Sequence, residues 1–277
     1  MRQKTSTWVA GVIALAAIAA AGSFGVSAQQ SPRGRGRPDV APEADGVLRG
    51  MSQHLAGLRA FRVSADSTVD VVLENGQKLQ FLAASQVVVR RPDRLRSERR
   101  GAEVDAALYY DGDSVTLFGR RANVWATTDA PRSIDEMIDF ARNDLEIEAP
   151  AADLLASDVY ATLMEDVRSG MYVGQEEVGG VNAHHLAFRN RSGTDWQIWV
   201  QEGATPLPLR YVVVSTDVRS HPQFEVALHD WDTSTPVSDA DFVFEPPPDA
   251  QQIEFRRALE QRDTARARRQ GQRQRGQ

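Results

Sequence analysis

Apolar and polar residues change their spacing several times along the chain, and each change marks a different predicted element. Between 43 and 59 the apolar residues recur every three or four positions, which is the spacing of one helical face. They are Ala44, Val47, Leu48, Met51, Leu55 and Leu58. From 61 to 71 and from 78 to 90 apolar residues alternate with polar ones, and Asn75-Gly76 between them suits a tight hairpin turn. The pattern therefore predicts a leading amphipathic helix followed by a long β-hairpin.

Shorter alternating segments follow, and a helical segment interrupts them. Strands are predicted at 95–99, 104–110, 114–118 and 123–128, then at 171–178, 183–189, 196–201, 209–216 and 224–231. The interruption begins at Ser133, which forms a capping-box pattern with Glu136, and a second helical stretch opens at Pro150 and closes at Gly170. Tight turns between consecutive strands make the sheet antiparallel, and amphipathic helices need one of its faces to cover. We expect an α+β fold with a sheet of about 11 strands.

The N-terminal residues carry an export signal. Residues 8–22 form an uncharged apolar run that follows Arg2 and Lys4 and precedes Val26-Ser27-Ala28, a small-residue cleavage site. The run has the length of a signal-peptide core and is short for a membrane span. We therefore expect cleavage near Ala28 and a soluble periplasmic product. The chain has no cysteine, which excludes disulfides, thiolate metal sites and lipid attachment to a cysteine after the signal.

Composition and charge divide the remaining chain. Residues 39–253 contain 19 Arg and Lys against 35 Asp and Glu, an acidic balance that argues against a nucleic-acid partner. Residues 254–277 hold eight Arg and are too polar to pack. We expect a signal peptide at 1–28, a disordered linker at 29–42, one domain at 43–250 and an Arg-rich tail at 251–277. The tail is expected to be disordered or partly helical, either as a solvated extension or as a contact with an anionic envelope surface.

Several blocks of sequence carry a family resemblance. They include FRVSADSTVDVVLENGQKLQF, VVVRRPDRLRSERRG, YYDGDSVTLF, NVWATTDAP and VNAHHLAFRNRSGTDWQIWV. On these blocks the stretch from Leu55 to Pro248 resembles a family of predicted periplasmic proteins, domain of unknown function 2092. That family is similar in turn to the LolA/LolB lipoprotein carriers. The resemblance implies a strongly curved antiparallel half-barrel with the leading helix and the helical insert on its concave side. It implies no activity, because the family has none established.

The residues that could carry chemistry favour a structural interpretation. His184 and His185 are adjacent on a predicted strand, with Ser192 and Asp195 across the next turn. Neighbouring strand residues point to opposite faces, so the two imidazoles cannot share a metal ion or a substrate. Nucleophile-elbow, zinc-protease, P-loop and dinucleotide motifs do not occur in the sequence. We expect no enzyme, no metal and no cofactor, and an exported hydrolase using either histidine is disfavoured.

The aromatic residues favour a binding function. They are spread over nearly every predicted strand, and a half-barrel that one helix cannot fill leaves an apolar cleft. The expected lining residues are Phe61, Val63, Phe81, Tyr110, Trp125, Ile138, Phe188, Trp196, Ile198 and Tyr211. We expect a monomer that binds a lipid or a lipoprotein acyl chain there, with loosely packed helices at 133–167 as a lid. The alternative is an envelope protein-interaction or stress-sensing module with a filled core and no ligand.

Overall fold

Three α-helices and thirteen strands make up the fold in a computed structural model that describes residues 38–147 and 149–255. The helices are α1 (Pro42–Gly57), α2 (Ile134–Asn143) and α3 (Val159–Met164). The strands of the N-terminal half are β1 (Asp39–Val40), β2 (Ala60–Val72), β3 (Lys78–Arg90), β4 (Arg94–Gly101), β5 (Asp105–Tyr110), β6 (Ser114–Gly119) and β7 (Val124–Asp129). Those of the C-terminal half are β8 (Val167–Val178), β9 (Val181–Asn190), β10 (Thr194–Gln201), β11 (Pro208–Ser215), β12 (Gln223–Asp232) and β13 (Gln251–Gln252).

The strands form one open sheet with the order β1-β8-β9-β10-β11-β12-β2-β3-β4-β5-β6-β7-β13. Neighbours are antiparallel except at the two ends, where β1 pairs with β8 and β13 pairs with β7 in parallel. Strand β12 pairs with β2 and so joins the two halves of the chain. This arrangement confirms the predicted antiparallel half-barrel. The two additional strands have two residues each, too few for a periodic pattern, and they lie inside segments assigned to the linker and the tail.

The leading helix and the first helix of the insert follow their predicted signals. In α1, Pro42 occupies the first turn, where its missing N–H costs nothing, and four apolar residues of one face are fully buried. In α2, the hydroxyl of Ser133 accepts a hydrogen bond from the backbone N–H of Glu136 at 3.2 Å. Both helices pack their apolar stripes on the same side of the sheet.

The second helical stretch differs from the prediction. A 3-10 helix at Ala152–Leu155 and the short helix α3 replace one helix from Pro150 to Gly170. Gly170 lies inside β8, directly opposite Phe188 of β9. A Cβ at position 170 would lie 2.4 Å from the ring of Phe188, so the glycine allows the strand to approach the aromatic side chain. Its role is close packing, and its interpretation as a helix terminator was wrong.

Two clusters of buried apolar side chains form the core. The first lies beneath α1 and α3, on β8 to β12 and Ala65 of β2, and contains Leu48, Leu186 and Ile198. The second lies beneath α2, on β2 to β6, and contains Val89, Leu95 and Val115. Leu228 and Trp231 of β12 pack against both clusters and connect them. Both clusters lie on the helix-covered, concave side of the sheet.

The signal peptide, residues 29–37 of the predicted linker and residues 256–277 of the predicted tail lie outside the described residues. The apolar run at 8–22 and the Arg-rich segment therefore remain sequence-based expectations. None of the helices in the described ranges combines the length and the apolar composition that a membrane crossing requires.

Candidate functional site

Most residues predicted to line an apolar cleft lie beneath the helices. Phe61, Val63 and Tyr110 belong to the cluster under α2, against which Ile138 of the helix packs. The cluster under α1 and α3 contains four more of the predicted lining residues: Phe188, Trp196, Ile198 and Tyr211. Apart from Ile138, each of these side chains is at most 4% exposed. The space beneath the helices is thus filled by protein side chains, and binding by these residues stays a prediction.

Helix α2 is an integral part of the core. Ile134 and Met137 are each 1% exposed and lie in the same cluster as Tyr110. The hydroxyl of Tyr110 donates a 2.5 Å hydrogen bond to the backbone oxygen of Pro131, just before the helix. Burial, followed by the nearby charge of Asp93, raises the pKa of Tyr110 to about 12, so this hydroxyl stays protonated. The expectation of a loosely packed lid was wrong for α2.

Trp125 lies on the outer face of the sheet, away from the helices. Its ring centroid is 5.6 Å from that of Phe244, which also contacts Tyr109 and Phe118. The inward position on β7 belongs to Ala126, which is paired with Leu117 of the α2 cluster. Because Val124 and Ala126 on one face and Trp125 on the other are all apolar, the sequence did not reveal which face of β7 is inner. Placing Trp125 in the cleft was wrong.

Phe81 lies on the inner face, beyond the part that the helices cover. It pairs with Val69 of β2, and Leu79 pairs with Val71. The pairing of β2 with β3 has no register break, so these four residues share the face of Phe61 and Val89. We call Val69, Val71, Leu79 and Phe81 the hairpin strip. Among the described residues, neither helix-covered cluster includes any of the four.

The hairpin strip is continuous with the core. Val69 also pairs with Phe224 of β12, and Phe224 packs against the cluster under α1 and α3. The strip is half-buried, except for Leu79, which is 36% exposed. The apolar face of the sheet therefore extends past the helices toward the tip of the first hairpin. Alternation in the sequence indicated this shared face, but it could not show where the helices end.

One charged side chain lies on the same inner face as the strip. Arg99 of β4 pairs with Ser85 of β3 and with Ala106 of β5. Its Nε is shielded from solvent and has no hydrogen-bond partner among the described residues. Burial lowers the pKa of Arg99, although the group remains charged at neutral pH. Nothing in the sequence distinguishes Arg99 from the other arginines of β4.

The outer face of the described part of the sheet includes two partly open cavities, of about 210 and 240 Å³. Both are smaller than the roughly 300 Å³ at which drug-sized pockets begin. The first is lined by polar residues that include Asp66, Glu98 and His229, and the second lies beside Trp125 and Phe244. Neither lies beneath the helices, where the cleft was predicted.

The two adjacent histidines point to opposite faces of β9. Nδ1 of His184 lies 3.0 Å from the hydroxyl of Tyr172. His185 lies on the outer face, where its ring nitrogens contact Glu176 and Gln197. No group of three or more potential ligands suited to a metal ion occurs in the described part of the chain. The geometry gives each imidazole its own polar partners.

Solved structures similar to this chain come from several bacteria. An uncharacterized conserved protein from Thermus thermophilus is 12% identical, with a TM-score of 0.45, over 76% of this chain and 99% of that one. The lipoprotein LppX from Mycobacterium tuberculosis is 13% identical, with a TM-score of 0.41, over 71% and 99%. A LolA superfamily protein from Nitrosomonas europaea is 10% identical, with a TM-score of 0.34, over 73% and 97%. A comparison with curated proteins gave no match.

A family model described as "Predicted periplasmic protein (DUF2092)" matches residues 44–256. The match begins within α1 and extends past β13, so it includes both halves of the sheet and the helical insert. The description confirms the predicted periplasmic location. Because the match spans most of the sequence, this chain belongs to the DUF2092 family of predicted periplasmic proteins.

Proposed function

We propose that this protein is a non-enzymatic periplasmic binding protein that holds an apolar chain, such as that of a lipid or a lipoprotein, on the hairpin strip. One observation carries the proposal: the apolar inner face of the sheet continues past the helices onto Val69, Val71, Leu79 and Phe81. The proposed surface differs from the predicted cleft, since the helices fill the space beneath them.

Hydrophobic burial supplies the driving force for this function. Covering a Phe or Leu side chain completely contributes about 1.5–3 kcal/mol relative to leaving it exposed. The strip is half-buried with Leu79 exposed, so an acyl chain laid along it removes apolar area from water. The strip also adjoins Phe224, which continues the apolar surface toward the cluster under α1 and α3. Contiguous apolar surface that stays partly open to solvent can mark an interaction site.

A pair of neighbouring residues provides the test. Phe81 lies on the inner face, whereas Leu82 is 70% exposed on the outer face of the same strand. We expect purified protein to bind the uncharged fluorophore N-phenyl-1-naphthylamine, and Phe81→Ser to weaken binding about tenfold or more. Leu82→Ser removes a similar apolar side chain from the same strand and should leave the Kd unchanged. Absence of binding by wild type, or equal losses in both variants, contradicts the proposal.

A second candidate function is that of a protein-interaction module. Strand β8, near one end of the sheet, favours it. Strand β1 pairs with only Ser169 and Gly170 of β8. Beyond them Met171 and Val173 are 60% and 49% exposed. An open strand edge with apolar side chains can add a strand from a partner. This candidate predicts that wild type fails to bind the fluorophore, and that Val173→Lys disrupts the biological role without changing stability.

A further inference from the structure

We infer that the hairpin strip accepts a single-chain amphiphile with an anionic head group, and that the guanidinium of Arg99 binds the head group. The inference rests on the proposed function and adds the chemical class of its ligand: a long-chain fatty acid with an ionised carboxylate. Two independent features carry it, namely the position of Arg99 on the inner face and its lack of a partner.

The position of Arg99 follows from strand alternation. Leu95, four residues earlier on β4, is 5% exposed and belongs to the cluster under α2. The pairing of β4 with β3 runs without a register break, so Arg99 projects from the same face as Leu95. The arginines at 96 and 100 project from the opposite face, where both bind Glu98.

The guanidinium of Arg99 has unused hydrogen-bonding capacity. It forms no ion pair and no hydrogen bond within residues 38–147 and 149–255, and its Nε is closed to solvent. Arg91 and Arg210 also have an unpaired Nε, but each has a partner at another guanidinium nitrogen. Nη1 of Arg91 donates a 2.9 Å hydrogen bond to the backbone oxygen of Leu155. Nη2 of Arg210 lies 2.8 Å from a carboxylate oxygen of Glu225. Guanidinium presents five N–H donors in a planar fork that matches a carboxylate, and a partly desolvated charge gains most from such a partner.

The residues paired with Arg99 on the two neighbouring strands are small. Ser85 and Ala106 lie directly opposite it on the neighbouring strands, and Gly101 follows on its own strand. Ser85 and Phe81 are four residues apart on β3, a separation of roughly 13 Å along the strand. A fatty acid with its carboxylate at Arg99 would direct its chain along β3, past Ala83, which is 6% exposed, toward the hairpin strip.

Two probes that differ only in head-group charge test the inference: 11-(dansylamino)undecanoate and its methyl ester. We expect wild type to bind the acid about tenfold or more tightly than the ester, as one charge-assisted contact predicts. Arg99→Gln should abolish this preference and leave ester binding unchanged, whereas Arg99→Lys, which keeps the charge, should retain part of it. Arg168→Gln provides the matched control, because Arg168 is exposed on the distant strand β8. Thermal melts establish that each variant is folded.

The outcomes separate the inference from the proposed function. Equal binding of acid and ester by wild type, or an unchanged preference in Arg99→Gln, overturns the role of Arg99 while leaving an apolar binding surface. Failure of wild type to bind either probe removes the proposed function and the inference together. Displacement of the acid by millimolar acetate, which offers the carboxylate without a chain, indicates a simple anion site and also overturns the inference.

Discussion

The imidazole of His185 lies nearly flat against the indole of Trp199, with ring centroids 4.0 Å apart and ring planes inclined by 13°. Glu176 holds the pair together: its carboxylate accepts a 2.8 Å hydrogen bond from Nε1 of Trp199 and lies 3.0 Å from Nδ1 of His185. The bond from Trp199, followed by that from His185, lowers the pKa of Glu176. Nε2 of His185 contacts Gln197 at 2.9 Å, so both ring nitrogens have polar partners. This arrangement favours a structural role for His185.

His185→Ala should therefore destabilise the protein without removing a chemical function. We expect a loss of about 1–3 kcal/mol in the free energy of unfolding, because the substitution removes a buried ring, opens a gap beside Trp199 and deletes the contacts with Glu176 and Gln197. His184→Ala should cost less, since His184 is only half-buried. Urea denaturation measures both changes. A variant that combines His184→Ala and His185→Ala tests for a metal site. A metal that stays bound to purified wild type and is lost from this variant would contradict the structural interpretation.

Met137→Ala should lower the free energy of unfolding by about 2–5 kcal/mol, because Met137 is 1% exposed within the core. Asp139 on the same helix is exposed, and Asp139→Ala should change stability by no more than about 0.5 kcal/mol. Thermal or urea unfolding of the two variants gives the comparison. Similar small effects from both would indicate that α2 is a loose lid.

Glu98 should make stability depend on pH in the acid range. Burial alone would raise the pKa of Glu98, but the hydrogen bond and charge of Arg96, with the charges of Arg120 and Arg100, outweigh it and lower the pKa. A carboxyl whose pKa is lower in the folded state stabilises the fold above its unfolded pKa, ordinarily 4.5. This stabilisation is lost as the pH falls through the folded pKa.

Glu98→Gln should thus be less stable than wild type at pH 7, and the difference should shrink progressively below about pH 4.5. Urea unfolding between pH 7 and pH 2 measures the difference. Glu177→Gln provides the control, because Glu177 is exposed on β8. A stability difference between wild type and Glu98→Gln that stays constant over this range would contradict the predicted linkage.

The mature protein should begin at Gln29. The apolar run at 8–22 and the small residues Val26-Ser27-Ala28 predict cleavage after Ala28. Intact mass and N-terminal sequencing of protein from the periplasmic fraction test this. An uncleaved chain in the membrane fraction would contradict export as a soluble protein.

The amino-acid sequence predicted the elements whose apolar residues have a clear period. The second strand of the first hairpin runs from Lys78 to Arg90, as expected from its alternation, and the Ser133 cap begins α2 as predicted. Gly170 was misread because a glycine that ends a helix and one that admits an aromatic ring look alike in sequence. The edge strands β1 and β13 depend on pairing with distant segments, which local periodicity does not encode.

The candidate site was predicted less well than the fold. Alternation placed Phe61, Val63 and Phe81 on one face, but the boundary between covered and uncovered parts of that face depends on where the helices pack. Trp125 was assigned to the wrong face because both sides of β7 carry apolar residues. Arg99 lies in an arginine-rich strand, and its lack of a partner depends on contacts among β3, β4 and β5 that only the three-dimensional structure provides.

Binding at the hairpin strip can be tested by native mass spectrometry of protein purified gently from its own envelope. We expect wild type and Leu82→Ser to carry a lipid adduct. Phe81→Ser, shown by a thermal melt to be folded, should carry much less. Dissociation of the adduct in the gas phase would give its mass and therefore its class. Wild type that is consistently free of lipid, or an adduct held equally by all three proteins, would contradict binding at the hairpin strip.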